Sequence, residues 1–189
     1  MDTRRMRRLC TYLLRNLGPE TATVEGLFTA LCSAMSTRCG RPVSYRPVAF
    51  PVGTVSGLWV ATDTQHLILI EESTVPEHQL VILGHELWHI ESHEGETTPI
   101  GAAEASHLLA PQLKASDVRR IAQRATARSH VHQSDQEELA CEMFGSILGS
   151  KAGKMLALDN QVGVADTSAK LAARLQVSLG SLAGPGGAG

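Results

Sequence analysis

The stretch ILGHELWHIESHEG (82–95) sets His85 and His89 four residues apart, with Glu86 directly after the first histidine. On a helix, positions i and i+4 lie one turn apart on one face, so the two imidazoles can converge on a single metal ion. Glu86 sits one residue round, near enough to reach a metal-bound water without becoming a ligand. That is the geometry of a general base acting on water activated by Zn2+. The surrounding LVILGHELWHI (80–90) is apolar and follows strand-like sequence, which sets these histidines apart from surface decoration. Gly84 lies inside the same helical pattern, where glycine costs ~1 kcal/mol relative to alanine. Its presence predicts the close approach of another backbone.

Two histidines and a water leave one protein ligand to find. His93 continues the i+4 series, yet it lies ~12 Å along the axis from His85, and ligands of one zinc sit within about 4 Å of each other. Packing or capping of the helix end is the better reading. His78, two turns before His85, fails the same distance test and reads as a packed or surface histidine. A third histidine six residues after the second, the metzincin spacing, would fall on Gly95. The acidic candidates lie in QEELACEMFGSIL (136–148), which offers Glu137, Glu138 and Glu142. Ser134 and Glu137 have capping-box spacing, which gives Glu137 a structural task. Glu138 shares its face with Cys141, Gly145 and Gly149, a stripe of small residues that lets one helix approach another closely. Glu138 is therefore the preferred third ligand and Glu137 the alternative.

These residues need elements to hold them. Residues 3–17 read as an amphipathic helix, with Met6, Leu9, Leu13 and Leu17 at helical spacing. Its other face carries Arg4, Arg5, Arg7, Arg8 and Arg15 and is expected to be solvated. A second helix opens at Thr21 or Thr23, buries Val24, Leu27, Phe28, Leu31, Cys32 and Met35, and stops at Gly40. VSYRPVAF (43–50), GLWVA (57–61) and HLILI (66–70) read as strands, the last two joined by the tight turn at 62–64 as an antiparallel hairpin. Pro47 assigns the first strand to a sheet edge. Thr74 and Glu77 form a capping-box pattern, with Pro76 in the first turn, ahead of the motif helix. Further helices are expected around AAEASHLL (102–109), from Ser116–Asp117, after Ser134 and, more weakly, near 166–178. The expectation is one α+β domain over residues 1–180, with a small antiparallel three-stranded sheet packed with helices, and a disordered Gly-rich tail at 181–189.

With GHELWH after a small sheet, and Glu138, Cys141, Phe144, Gly145 and Leu148 on a distant helix, the chain resembles the ImmA/IrrE-type metallopeptidases, a branch of gluzincins. PEHQLVILGHELWH and SDQEELACEMFGSIL are similar to the actinobacterial branch, whose members often accompany helix-turn-helix regulators. The likeness spans roughly residues 20–150. It departs from the pattern at Trp88, where glycine is common, at Cys141 and Gly145, where alanines are usual, and at LGSKAG (148–153), where a Leu-Met-Pro ending is customary. The resemblance implies a minimal zincin-like fold and a cytoplasmic zinc endopeptidase that cleaves a helix-turn-helix repressor. In it His85, His89 and Glu138 hold Zn2+, and Glu86 takes the proton of the attacking water. Candidates for the donor that steadies the substrate carbonyl are His130, His132 and Tyr45, and a substrate strand is expected to add to the sheet edge near 57–70. The rival from another class is a regulatory or toxin–antitoxin component that grips a helix-turn-helix partner with little or no proteolysis.

Composition limits the remaining classes. A net charge of −2 over 189 residues calls for no direct nucleic-acid contact, and no segment approaches the ~20 apolar residues of a membrane span. The apolar run near the start is broken by Arg15 and Asn16 and lacks the cleavage site of a signal peptide. Cys10, Cys32, Cys39 and Cys141 are scattered, a pattern of free thiols in a reducing compartment.

Overall fold

The computed structural model describes residues 2–15, 17–93, 114–132 and 135–154. Among them are five α-helices and one three-stranded sheet. Helix α1 (Thr3–Leu14) starts on Asp2, whose carboxylate accepts from the N–H groups of Arg4 and Arg5 at 3.0 Å each. It buries Met6, Leu9, Cys10 and Leu13, and ends three residues before the expected limit. After a 3-10 turn (Pro19–Ala22), α2 (Val24–Cys39) is capped by Thr23, whose hydroxyl accepts from Gly26 N–H at 3.0 Å. Gly40 closes it with φ 72°, a left-handed conformation that glycine adopts without steric cost.

Strands β1 (Val43–Val48), β2 (Gly57–Ala61) and β3 (His66–Glu71) lie in the order β1-β3-β2. The β2–β3 pair is the expected antiparallel hairpin, with Trp59 opposite Ile68, and Pro47 does lie on an edge strand. The sheet as a whole is not antiparallel, however. β1 runs parallel to β3, Tyr45 beside Ile68, so the sheet is mixed. The cause lies in β3, where Leu67, Ile68, Leu69 and Ile70 are all buried. A strand with two apolar faces takes the centre, and the chain between β1 and β2 crosses to its far side, which leaves β1 parallel.

Both faces of β3 are covered. Ile68 and Ile70 join one cluster with Leu9, Leu31, Leu83, Leu87 and Phe144. Leu67 and Leu69 join another with Val48, Phe50 and Val60, and with Val118, Ile121 and Ala122 of α4 (Ala115–His132). Helix α3 (Pro76–Ser92) carries the motif, and α5 spans 135–154. The Thr74–Glu77 capping box does not form. Pro76 begins the helix, Val75 occupies the cap without a side-chain bond, and the Thr74 hydroxyl donates to Glu71 O at 3.1 Å. Proline already removes one amide donor of the first turn, which lessens the need for a side-chain cap.

The arginines of the α1 face, Arg4, Arg5, Arg7, Arg8 and Arg15, are exposed as expected, and Arg5 also reaches a buried partner. Arg5 Nε donates to Glu91 at 3.0 Å, and Arg38 of α2 binds the same carboxylate through Nε at 2.6 Å and Nη2 at 2.7 Å. Glu91 is 3% exposed, so this fork ties α1 and α2 to the end of α3. All four cysteines are free. Among the described residues no helix is long and apolar enough to cross a membrane. The expected helices at 102–109 and 166–178, residue Ser134 of the second capping box, and the tail 181–189 lie outside the described residues.

Candidate metal centre

Helix α3 is buried nearly all round, from Leu80 and Leu83 to Ile90 and Glu91, as a helix inside a core must be. One side meets α5 through glycine. A Cβ at Gly84 would lie 2.8 Å from Gly145 Cα, and one at Gly145 would lie 2.5 Å from Val81 O and 3.1 Å from His85 N. The stripe Glu138, Cys141, Gly145, Gly149 therefore faces the motif helix, the role that Gly84 and the stripe were expected to play. Trp88 against Phe144, with centroids 5.0 Å apart, packs beside this contact.

Close packing of the two backbones brings Glu138 over the histidines. His85 Nε2 and His89 Nε2 are 3.1 Å apart, and the Glu138 oxygens lie 3.5 Å from the first and 3.6 Å from the second. Donors bound to one tetrahedral ion at ~2.0–2.2 Å stand roughly 3.3–3.6 Å from each other. Burial lowers the pKa of His85, and burial with the neighbouring His85 and His93 lowers that of His89 to about 3. Both imidazoles are thus neutral, with lone pairs to offer. Burial, then Glu142 and Glu137, raises the pKa of Glu138. Two imidazoles and a carboxyl group whose ionised form burial disfavours make a donor set suited to a cation.

Cys141 adds to this group. His85, His89 and Cys141 present donor atoms within 4.8 Å of one another and can hold a metal ion. The sulfur, however, lies 3.5 Å from His89 Nδ1, on the side of the ring away from Nε2. Burial first, then Glu138, Glu86 and Glu137, pushes its thiol pKa up. In sequence Cys141 reads as a free thiol and as a small residue of the stripe, not as a neighbour of the histidines. Its position three residues after Glu138 on the same face was the available signal.

Glu86 is 6% exposed and lies beneath β2. A Cβ at Gly57 would come within 2.6 Å of its Oε1, so that strand approaches the carboxyl group only because residue 57 is glycine. Burial raises the Glu86 pKa to about 8, opposed by a hydrogen bond from Trp59 N–H and reinforced by Glu138. Thr62 N–H bonds Gln65 O and Glu71 N–H bonds Ser56 O, so the alternate residues Gly57, Trp59 and Ala61 turn their amides away from β3. Glu86 thus lies on the outward side of β2, near the Trp59 amide.

Trp59 was not singled out by its sequence. Its indole donates to His66 Nδ1 at 3.1 Å, and its ring stacks on His89 and His93 with centroids 6.4 and 6.2 Å away. His93 caps α3 and lies 3.5 Å from Glu137. The structure thus sets Glu137 beside the helix end and Glu138 beside His85 and His89. His78 is exposed. Tyr45 is removed from the set of carbonyl donors: it lies on β1, across β3 from β2, and packs edge-on against Phe28 at 5.2 Å. The parallel placement of β1, which sequence periodicity does not encode, puts it there. His130 and His132 belong to the last turns of α4, and their side chains lie outside the described part. No family model, curated protein or solved structure matches the chain.

Proposed function

We propose that the protein is a zinc-dependent peptidase whose ion is held by His85, His89 and Glu138 and whose general base is Glu86. One observation carries the reading: two Nε2 atoms from α3 and the Glu138 carboxyl oxygens from α5 meet with separations of 3.1, 3.5 and 3.6 Å. When bound, zinc would act as a Lewis acid and make water a competent nucleophile at neutral pH. His85 and His89 contribute lone pairs without charge, and Glu138 contributes the negative charge that favours a dication. Burial disfavours ionised Glu86, and a dication beside it would offset that; the ionised carboxylate would then accept the proton of the attacking water and return it to the leaving amine. Among the described residues no strand pairs with the outer edge of β2, and that edge suits a peptide laid in extended form beside Glu86, because Gly57 and Ala61 turn amides outward.

A helix-turn-helix regulator as substrate, and the cytoplasm as the place of action, rest on the resemblance of the motifs to ImmA/IrrE-type peptidases. The binding alternative draws on one feature. Glu86 is buried against Gly57 of β2, so the base is shielded from solvent in the resting protein.

The experiment is co-expression with a helix-turn-helix regulator encoded beside this chain, with zinc content and fragments of the regulator measured together. His85→Ala, His89→Ala and Glu138→Ala should lose most of the metal, whereas Glu137→Ala should retain it. Glu86→Gln should retain zinc while cleavage falls by roughly 10²–10⁴-fold, the usual worth of a general base. Full zinc in the histidine variants would refute the metal site. Unchanged regulator release without fragments in Glu86→Gln would favour the binding reading.

A further inference from the structure

We propose that Cys141 fixes the tautomer of His89, its sulfur accepting a hydrogen bond from Nδ1–H so that the Nε2 lone pair faces His85 Nε2 and Glu138. The inference rests on the metal reading above and adds a positioning residue to it. A neutral imidazole carries one N–H and one lone pair, and the nitrogen that binds a metal must be the lone pair. His89 Nε2 is the atom that faces the other two donors, at 3.1 Å from His85 and 3.6 Å from Glu138. Its proton therefore belongs on Nδ1, and a buried N–H needs an acceptor.

The acceptor on that side is Cys141 Sγ, 3.5 Å away and buried with it. Metal-bound histidines ordinarily give this bond to a carboxylate, a carbonyl or water. Here α5 passes so close that a thiol occupies the place. Gly145, one turn along from Cys141, lies against the α3 backbone at Val81 and His85 and sets that distance.

Direct ligation by the sulfur fits the geometry less well. A zinc-bound sulfur at ~2.3 Å would have to lie roughly 3.5 Å from the two Nε2 atoms. The 3.5 Å contact is to Nδ1, on the opposite side of the ring.

The test compares wild type, Cys141→Ala and Cys141→Ser, with zinc affinity measured by competition with a chelating dye. Loss of the acceptor should weaken zinc binding in Cys141→Ala by about 10–100-fold, the typical effect of removing the partner of a metal-bound histidine. The serine hydroxyl of the second variant is an acceptor on a shorter arm and should recover part of that loss. Nitrogen NMR of the zinc-loaded wild type should find His89 protonated on Nδ1, a readout that needs no variant to fold and no activity. Equal zinc affinity in Cys141→Ala and wild type, or equal losses in the alanine and serine variants, would overturn the inference while leaving the metal site standing. A thiolate charge-transfer band in the cobalt-loaded wild type would overturn it by making the sulfur a ligand. Absence of zinc binding by wild type would instead remove the metal reading itself, and this inference with it.

Discussion

Replacing Gly145 by alanine should weaken metal binding and loosen the fold, although alanine is the better helix former. The added Cβ would lie 2.5 Å from Val81 O and 3.1 Å from His85 N, against an ordinary contact of at least 3.4 Å. Both obstacles are backbone atoms of α3, so no side chain can swing aside, and α5 must retreat by roughly 0.9 Å. Carried along the helix to Glu138, that retreat would move its oxygens to roughly 4.4 Å from the imidazoles, too far for one tetrahedral ion. Overpacking of this kind costs about 1–3 kcal/mol, offset by the ~1 kcal/mol that alanine gains in a helix. Gly153 is the control, because it lies on the same helix and a Cβ there would meet nothing within 4 Å. Gly153→Ala should be neutral or stabilise by up to ~1 kcal/mol. The assay is urea unfolding of the metal-free variants, followed by zinc titration. If Gly145→Ala proves as stable as Gly153→Ala and binds zinc like wild type, the α3–α5 contact is not what positions Glu138.

Arg38→Ala should lower stability by about 1–3 kcal/mol in urea unfolding, because the buried Glu91 carboxylate loses two of its charge-assisted hydrogen bonds. The exposed Arg8→Ala should stay within about 0.5 kcal/mol of wild type; equal effects would remove the clamp between α1, α2 and α3 from the account. His66 tests pH dependence: burial, then Arg41, lowers its pKa from 6.5, and its Nδ1 must be unprotonated to accept from Trp59. Below pH 6.5 the unfolded chain takes up that proton first, so the stability that neutral His66 contributes is complete above 6.5 and is lost as pH falls through the folded-state value. His66→Asn, which offers an oxygen in place of Nδ1, should flatten this part of the stability–pH curve, and an unchanged slope would refute the assignment.

Local sequence was enough for much of this protein. His85 and His89 at i and i+4 share a face because helix geometry puts them there, and Gly84 with the stripe from Glu138 to Gly149 announced a close helix pair. Thr23 and Gly40 bounded α2, and the turn at Thr62 made the β2–β3 hairpin, since caps and turns act within a few residues. What lay beyond was decided by contacts between distant segments. The direction of β1 depends on which strand β3 needs on each flank, and with it Tyr45 left the site. Glu91 is buried only because Arg5 and Arg38 reach it from two other helices. The burial of Glu86 beneath Gly57, and the sulfur of Cys141 beside Nδ1 of His89, arise only once β2 and α5 have closed on α3. Periodicity names the face on which a side chain lies; packing chooses the atom it meets, because that choice depends on separations of a few tenths of an ångström between elements far apart in the chain.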